Sequence, residues 1–457
     1  MADYDYIPRT DAQVVDYGTR VTPPPIGPKV TIVGVTDNTD APLEDPYQLL
    51  RMENLSLFDK ADGSPSEITR KVYESMQAGN QNIEIYVLSD GSGNRYSEDS
   101  ITESQRYALL ERAYGLLVNH DVDLVVAPNT AIDSSGLAAT QNFGWQMANF
   151  CYQATKEFNA CAGVIGVQPP TAAAAGTGVP SLAETQAHVT ALKAFDTTSL
   201  QGDDFTIFDG ITDSGSDGVP DNFAFWATTD EAIPVGSPPS SSSNIRLDAN
   251  GNPIDIGAYI SVVASWSRYR NAAAASLYPT VGYYNAMGDA AYAGLIATLP
   301  PEIATTNQIV PGDPLRKLSP TQVNDLIQRR YVVFWNQPNG YVVASGVTGA
   351  HNISAYYRSD FVRLSTLRIT HEAIDVVRIV CNPFIGLPNN SVHLDAMENA
   401  IDAALGKMRG RGALNGFRFE VISTATMKVL GEVIIELTII PAFEITKITI
   451  QIGLAAA

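Results

Sequence analysis

Val30-Thr-Ile-Val-Gly-Val, residues 30–35, is a short β-branched run, apolar almost throughout, preceded by Lys29. A strand covered on both faces reads this way, whereas a half-exposed strand alternates apolar and polar. The pattern recurs at Ile83-Glu-Ile-Tyr-Val-Leu, at Val122 to Ala127 and at Ala162-Gly-Val-Ile-Gly-Val. Helical stretches lie between these runs, at Ser66 to Gln77 (ended by Gly79), Ser104 to Asn119 and Asn142 to Phe158. Strands alternating with helices predict an α/β-layered domain with a largely parallel sheet over residues 29–167.

Working outward, residues 1–28 form an extended arm. Val14, Val15 and Tyr17 lack helical spacing, and the prolines at 23–25 and 28 forbid a helix. Residues 168–253 are rich in Pro, Gly, Ser and Asp, which predicts a surface insertion with long loops. The α/β body resumes over 254–350. It contains a helix from Pro320 to Arg329 and a hairpin from Tyr331-Val-Val-Phe-Trp to Tyr341-Val-Val-Ala-Ser, turning at Gln337-Pro-Asn-Gly.

Residues 351–442 make a C-terminal module. A helix capped by Asn390 or Ser391 buries Leu394, Met397, Ile401, Leu405 and Met408, and ends among the glycines and cations of 406–412. Two strands follow, one around Phe417, Phe419 and Val421, the other from Gly431 to Ile440. In residues 443–457, Ile448, Ile450 and Ile452 share one face of a last strand that also holds Ile445. Such a strand needs a ladder partner in its own sheet or a neighbour's. The fold class is therefore α+β and multidomain: an α/β-layered N-terminal domain with a surface insertion, and a C-terminal helix/β-sheet module completed by extended terminal arms.

The net charge of −20 is unevenly spread. After residue 360 nine Lys/Arg balance nine Asp/Glu, which leaves 20 of the 29 basic and 40 of the 49 acidic residues before it. An acidic bulk repels phosphates, so no nucleic-acid partner is expected. No apolar run approaches the roughly 20 residues of a membrane span, and Met1-Ala-Asp-Tyr-Asp-Tyr lacks the features of a secretion signal. A soluble chain made in a cytoplasm is expected.

Motifs for chemistry are sparse. His120, His188, His351, His371 and His393 are isolated, and no phosphate loop or nucleophile elbow is present. Cys151, Cys161 and Cys381 are too few for a disulfide framework. Asp213, Asp217 and Asp221 offer oxygen ligands around glycines, as calcium loops do, but lack a closing glutamate. No catalytic residue, metal or cofactor is expected, with that aspartate loop the one weak calcium candidate.

The ordered set Arg363-Leu-Ser-Thr-Leu-Arg-Ile, Asn382-Pro-Phe-Ile-Gly-Leu-Pro-Asn-Asn, Gly412-Ala-Leu-Asn-Gly-Phe-Arg-Phe and Ile440-Pro-Ala-Phe-Glu-Ile-Thr-Lys-Ile resembles the C-terminal domain of contractile tail sheath proteins. Upstream, Tyr292-Ala-Gly-Leu-Ile-Ala and Gly340-Tyr-Val-Val-Ala-Ser-Gly-Val-Thr are similar to further family segments. The resemblance implies a structural subunit of a virion tail, assembled in the host cytoplasm, that stacks as hexameric rings around an inner tube. Contraction of the stack would drive the tube through the host envelope. It implies as partners further copies of the chain, a tail tube protein, and baseplate and tail terminator proteins. The terminal arms, with Val14, Val15, Tyr17, Ile445, Ile448, Ile450 and Ile452, would extend neighbours' sheets. Lys407, Arg409 and Arg411, the densest basic cluster, would face an acidic tube, against the plainer reading of solvated charges at a helix end. A bacterial contractile injection particle carries the same pattern. Two other classes stay open: an enzyme on the α/β domain, and a calcium-dependent surface protein suggested by the aspartate loop.

Overall fold

Apolar runs with no exposed face need cover on both sides, and the tertiary structure supplies it. The computed structural model describes residues 27–50, 52–137, 141–157, 159–170, 179–194, 225, 246–247, 254–270, 283–338, 340–350, 352–353, 357–358 and 360–444. Its strands begin with β1 (Val30–Gly34), β2 (Tyr47–Gln48), β3 (Ile83–Val87), β4 (Leu124–Val126), β5 (Ala162–Gly166) and β6 (Ile260–Val263). β7 (Trp266–Arg270), β8 (Tyr283–Met287) and β9 (Asp313–Pro314) form a sheet of their own, after which β10 (Tyr331–Val332) rejoins the first. The main sheet has the order β10-β6-β5-β4-β1-β3-β2, parallel everywhere except at the short edge strand β2.

Side chains alternate across each strand, so neighbouring residues enter different cores. Val33, Val125 and Ile165 point to one face, while Ile32, Leu124, Val126 and Val164 point to the other. The helices are α1 (Glu67–Gln77), α2 (Glu103–Leu117), α3 (Phe143–Lys156), α4 (Leu182–Ala194), α5 (Asp289–Thr298) and α6 (Pro320–Gln328). α2, α3, α4 and α6 cover the Val33 face, and α1 and α5 the Ile32 face. Their starts are written locally. Ser66 accepts from the Thr69 N–H, Asn142 from those of Gly144 and Trp145, and Thr102 and Ser319 form capping boxes with Gln105 and Gln322. Gly79, with φ of +98°, turns the chain out of α1.

Between α1 and α5 lies a buried ionic cluster. Lys71 Nζ sits 2.6 Å from Asp289 Oδ1 and 3.1 Å from Glu74 Oε2, and donates to the Met287 carbonyl at 3.3 Å. The helices are close enough for this because residue 294 is glycine: a Cβ there would stand 2.5 Å from the Ser75 carbonyl oxygen.

Two expectations are corrected. Residues 168–253 are not wholly a surface insertion, because α4 lies within them and sends Val189 and Leu192 into the main core. Phe225 is buried there as well, its carbonyl taking the Ile256 N–H at 2.8 Å. The expected strand Tyr331 to Trp335 is divided. Tyr331–Val332 joins the parallel sheet, and only β11 (Phe334–Gln337) pairs with β12 (Gly340–Val343) as the hairpin. Strand propensity cannot separate two successive strands that change sheets at one residue.

Beyond two short strands, β13 (Asn352–Ile353) and β14 (Tyr357–Arg358), comes α7 (Leu364–Cys381), which the sequence did not announce. Leu364 and Leu367 belong to the body core, whereas Ile369, Ala373 and Val377 belong to a third core. One helix within the expected module range thus joins the body core to the module core. α8 (Ser391–Gly410), β15 (Leu414–Ile422), α9 (Ala425–Leu430) and β16 (Ile434–Pro441) complete the module. The second strand starts later than expected, since Gly431 is the left-handed cap of α9.

Candidate assembly surface

β15 and β16 form an antiparallel pair in the register Phe417↔Ile439, Phe419↔Leu437, Val421↔Ile435. These six side chains line the face that packs on α7 and α8, where Met397, Ile401, Leu405 and Met408 are buried. Arg418, Glu420, Glu436 and Thr438 point the other way, and Glu420 lies directly opposite Glu436. Each strand has a single ladder partner among the described residues. A two-stranded sheet of this length, open along both edges, is a template for another strand.

The roots of both terminal arms converge on the chain just after α5. Asn82 Nδ2 donates to the Gly27 carbonyl at 2.8 Å, and the Lys29 N–H donates to Asp123 Oδ2 at 2.6 Å. Gly27, with φ of +110°, lies so close to the Ala297 carbonyl that a Cβ would stand 2.5 Å from its oxygen. Burial pushes the Asp123 carboxyl up to about 6, although the Lys29 N–H favours its charged form. At the other end, Glu444 takes Arg363 Nη1 at 2.5 Å and the Thr306 hydroxyl at 3.3 Å.

The module is tied to the same place. Arg368, on α7, donates to the carbonyls of Ile296, Leu299 and Pro300, the last at 3.4 Å, and so satisfies the end of α5. Burial lowers its guanidinium to about 10. Arg411, at the end of α8, pairs with Glu372 and lies 3.5 Å from Glu302. Residues 296–306 are therefore where both arms, α7 and α8 are fastened. A cleft of about 620 Å³ beside them is lined by Gly27, Asp123, Arg368, His371 and Asp375. In it the His371 ring stacks on Tyr259 at 5.9 Å, and burial lowers its pKa to about 4, so it is neutral at physiological pH.

Arg368→Ala should lower stability by about 2–4 kcal/mol, because several buried carbonyls at once lose their donor. Chemical denaturation measures this, and Arg368→Lys should recover only part of the loss, since one ammonium cannot copy the guanidinium fork. Equal stability of all three chains would show that water replaces the arginine without cost.

The structure separates the residues of the expected basic patch. Lys407 and Arg409 are exposed, with no ion-pair partner among the described residues, and the Arg409 guanidinium lies 5.5 Å from the centre of the Phe417 ring. Arg411 is instead held by Glu372 and Glu302, so its charge is largely used within the chain. Spacing alone gave no sign of this, because both carboxylates are remote in sequence. Val14, Val15, Tyr17, Ile445, Ile448, Ile450 and Ile452, and the candidate calcium ligands Asp213, Asp217 and Asp221, lie outside the described residues.

At the carboxyl ends of the central strands, where open α/β folds hold ligands, a cleft is lined by Asn38, Thr39, Asp40, Ser56, Asp59 and Lys60. Its one lining cation, Lys60, is already paired with Glu98 and Asp99, each at 2.8 Å. Among the described residues no cluster of three or more His, Cys, Asp or Glu could hold a metal, and no helix is long and apolar enough to cross a membrane.

A doubly covered parallel sheet is thus extended, through one continuous helix, by a helix-backed pair of antiparallel strands. The chain is similar to a sheath chain of the anti-feeding prophage in its contracted state, with 11% identity, a TM-score of 0.55, and 97% of this chain and 99% of that one covered. A chain of the anti-feeding prophage baseplate matches with the same TM-score and identity over 98% of this chain and 100% of that one. A tail sheath protein of Desulfitobacterium hafniense matches with a TM-score of 0.50 and 9% identity, covering 92% and 98%. No family model matches the sequence, and no curated protein sequence does either. The shared property is thus the fold, over essentially the whole chain.

Proposed function

We propose that this chain is the sheath subunit of a contractile tail or contractile injection machine, and that its role is mechanical rather than enzymatic. The observation that carries this is the whole-length fold likeness to contractile sheaths, in a chain whose module sheet has only two strands among the described residues. Copies stack as hexameric rings around an inner tube, with the terminal arms of one subunit completing the β15–β16 sheet of another. Contraction repacks the same subunits into a second arrangement and drives the tube through a cell envelope. The energy is the difference between two packings, so no nucleotide is needed. Baseplate and terminator proteins close the two ends of the stack, and the particle is a phage tail or a bacterial injection device assembled in a cytoplasm.

Negative-stain electron microscopy of the purified chain, alone and with its tube protein, tests the reading. Striated tubes or sixfold rings support it. Uniform monomers under both conditions reject it.

The tube contact is proposed for Lys407 and Arg409, with Arg411 serving the subunit's own fold. Lys407→Glu together with Arg409→Glu should weaken co-sedimentation with an acidic tube by about tenfold or more at low salt, while self-association persists. Unchanged tube binding would remove these residues from the interface.

A further inference from the structure

Cys151 and Cys161 are used neither by the arms nor by the module. Both are fully buried. Cys151 lies on α3, Cys161 directly precedes β5, and their sulfurs are 3.4 Å apart. The turn between them is held by its own hydrogen bonds. The Asn159 N–H donates to the Ala154 carbonyl at 2.8 Å, the Cys161 N–H to Thr155 Oγ1 at 3.2 Å, and Asn159 Nδ2 to the Val118 carbonyl at 2.9 Å. Residue 163, across from Cys151, is glycine, and the Met147 side chain packs into the space of its missing Cβ, 2.7 Å from that position, with the Cys151 sulfur 3.4 Å away. A disulfide needs a separation of about 2.0 Å, so the sulfurs must approach by about 1.4 Å.

We propose that Cys151 and Cys161 are a preorganised dithiol that closes to an intramolecular disulfide when the folded chain meets a peroxide, fastening the end of α3 to β5. One sulfur, as its thiolate, attacks the peroxide O–O bond and becomes a sulfenic acid, and the departing hydroxide takes up the proton that thiol had released and leaves as water. The second sulfur then displaces the sulfenic hydroxyl, which takes the remaining thiol proton and leaves as a second water. The two thiols lose two electrons and the peroxide gains them. Burial pushes the Cys161 thiol well above its ordinary range, so little thiolate is present and closure is slow. Hydrogen peroxide is little larger than water, which suits a site closed to bulkier oxidants.

The test treats the folded full-length chain with hydrogen peroxide, removes the peroxide, alkylates in denaturant and maps the tryptic peptides by mass spectrometry. Cleavage after Lys156 separates the two cysteines. The expected product is a linked peptide pair about 2 Da lighter than the sum of its reduced parts, released by a thiol reductant. Cys381, which lies in the separate core of the module, should appear in unlinked, further oxidised peptides and marks how far the reaction has gone. Cys161→Ser should abolish the linked pair. The proposal is overturned if Cys151 and Cys161 stay alkylable after Cys381 has reacted, or if both end as sulfinic or sulfonic acids in separate peptides.

Discussion

Removing residues 445–457 is expected to leave a folded chain that no longer polymerises. The truncation retains Glu444 with its contacts to Arg363 and Thr306. What is lost is an isoleucine-rich strand proposed to pair with the open sheet of a neighbour. Backbone hydrogen bonds contribute about 1 kcal/mol each net. A strand of several residues, repeated at every subunit, therefore sets the critical concentration of assembly, which should rise by orders of magnitude. Circular dichroism and thermal melting should match the intact chain, while micrographs show no rings or tubes. Tubes formed by the truncated chain would mean that these residues do not link the lattice.

The second large effect is expected from Lys71→Ala. The ammonium is buried with Asp289 and Glu74, and removing it leaves two carboxyl groups in an apolar interface between α1 and α5. Breaking such a cluster by deleting one partner costs about 3–5 kcal/mol. A denaturant midpoint within error of the wild type would show that the carboxyls relax by taking up protons or water. The same cluster sets a pH dependence. Burial pushes the Glu74 carboxyl up to about 8, Asp289 pushes it the same way, and Lys71 opposes both. A raised carboxyl pKa means that the folded state holds a proton the unfolded chain has released. The contribution is therefore complete below the unfolded value of about 4.5 and is lost as pH rises toward 8. Melting temperature should fall across that window, and Glu74→Gln should flatten the slope. A slope unaltered by Glu74→Gln would assign the dependence to other groups, with Asp123 the next to replace.

How much of this was legible in the sequence can be judged element by element. The buried strands at Val30, Ile83, Leu124 and Ala162 were legible because apolar runs bounded by caps and glycines carry their own signal. The face of α8 formed by Met397, Ile401, Leu405 and Met408 was legible because helical spacing alone determines it. α4 was hidden by its weak amphipathic pattern in polar surroundings, and α7 by apolar residues that point toward two different cores. The basic cluster at 407–411 read as one patch because adjacency in sequence says nothing about partners elsewhere in the chain.

By itself the sequence determined the layered α/β body, the helix and hairpin of the module, and the balance of charge between them. Periodicity, capping and composition are local properties, and each residue carries its share wherever it ends up. Only the tertiary structure decided that residues 296–306 fasten both arms, α7 and α8, that Arg411 serves Glu372 and Glu302, and that Cys151 lies against Cys161. These are pairings across turns and between remote segments. Their partners are chosen by the distances that packing sets, and a linear pattern contains no such distances.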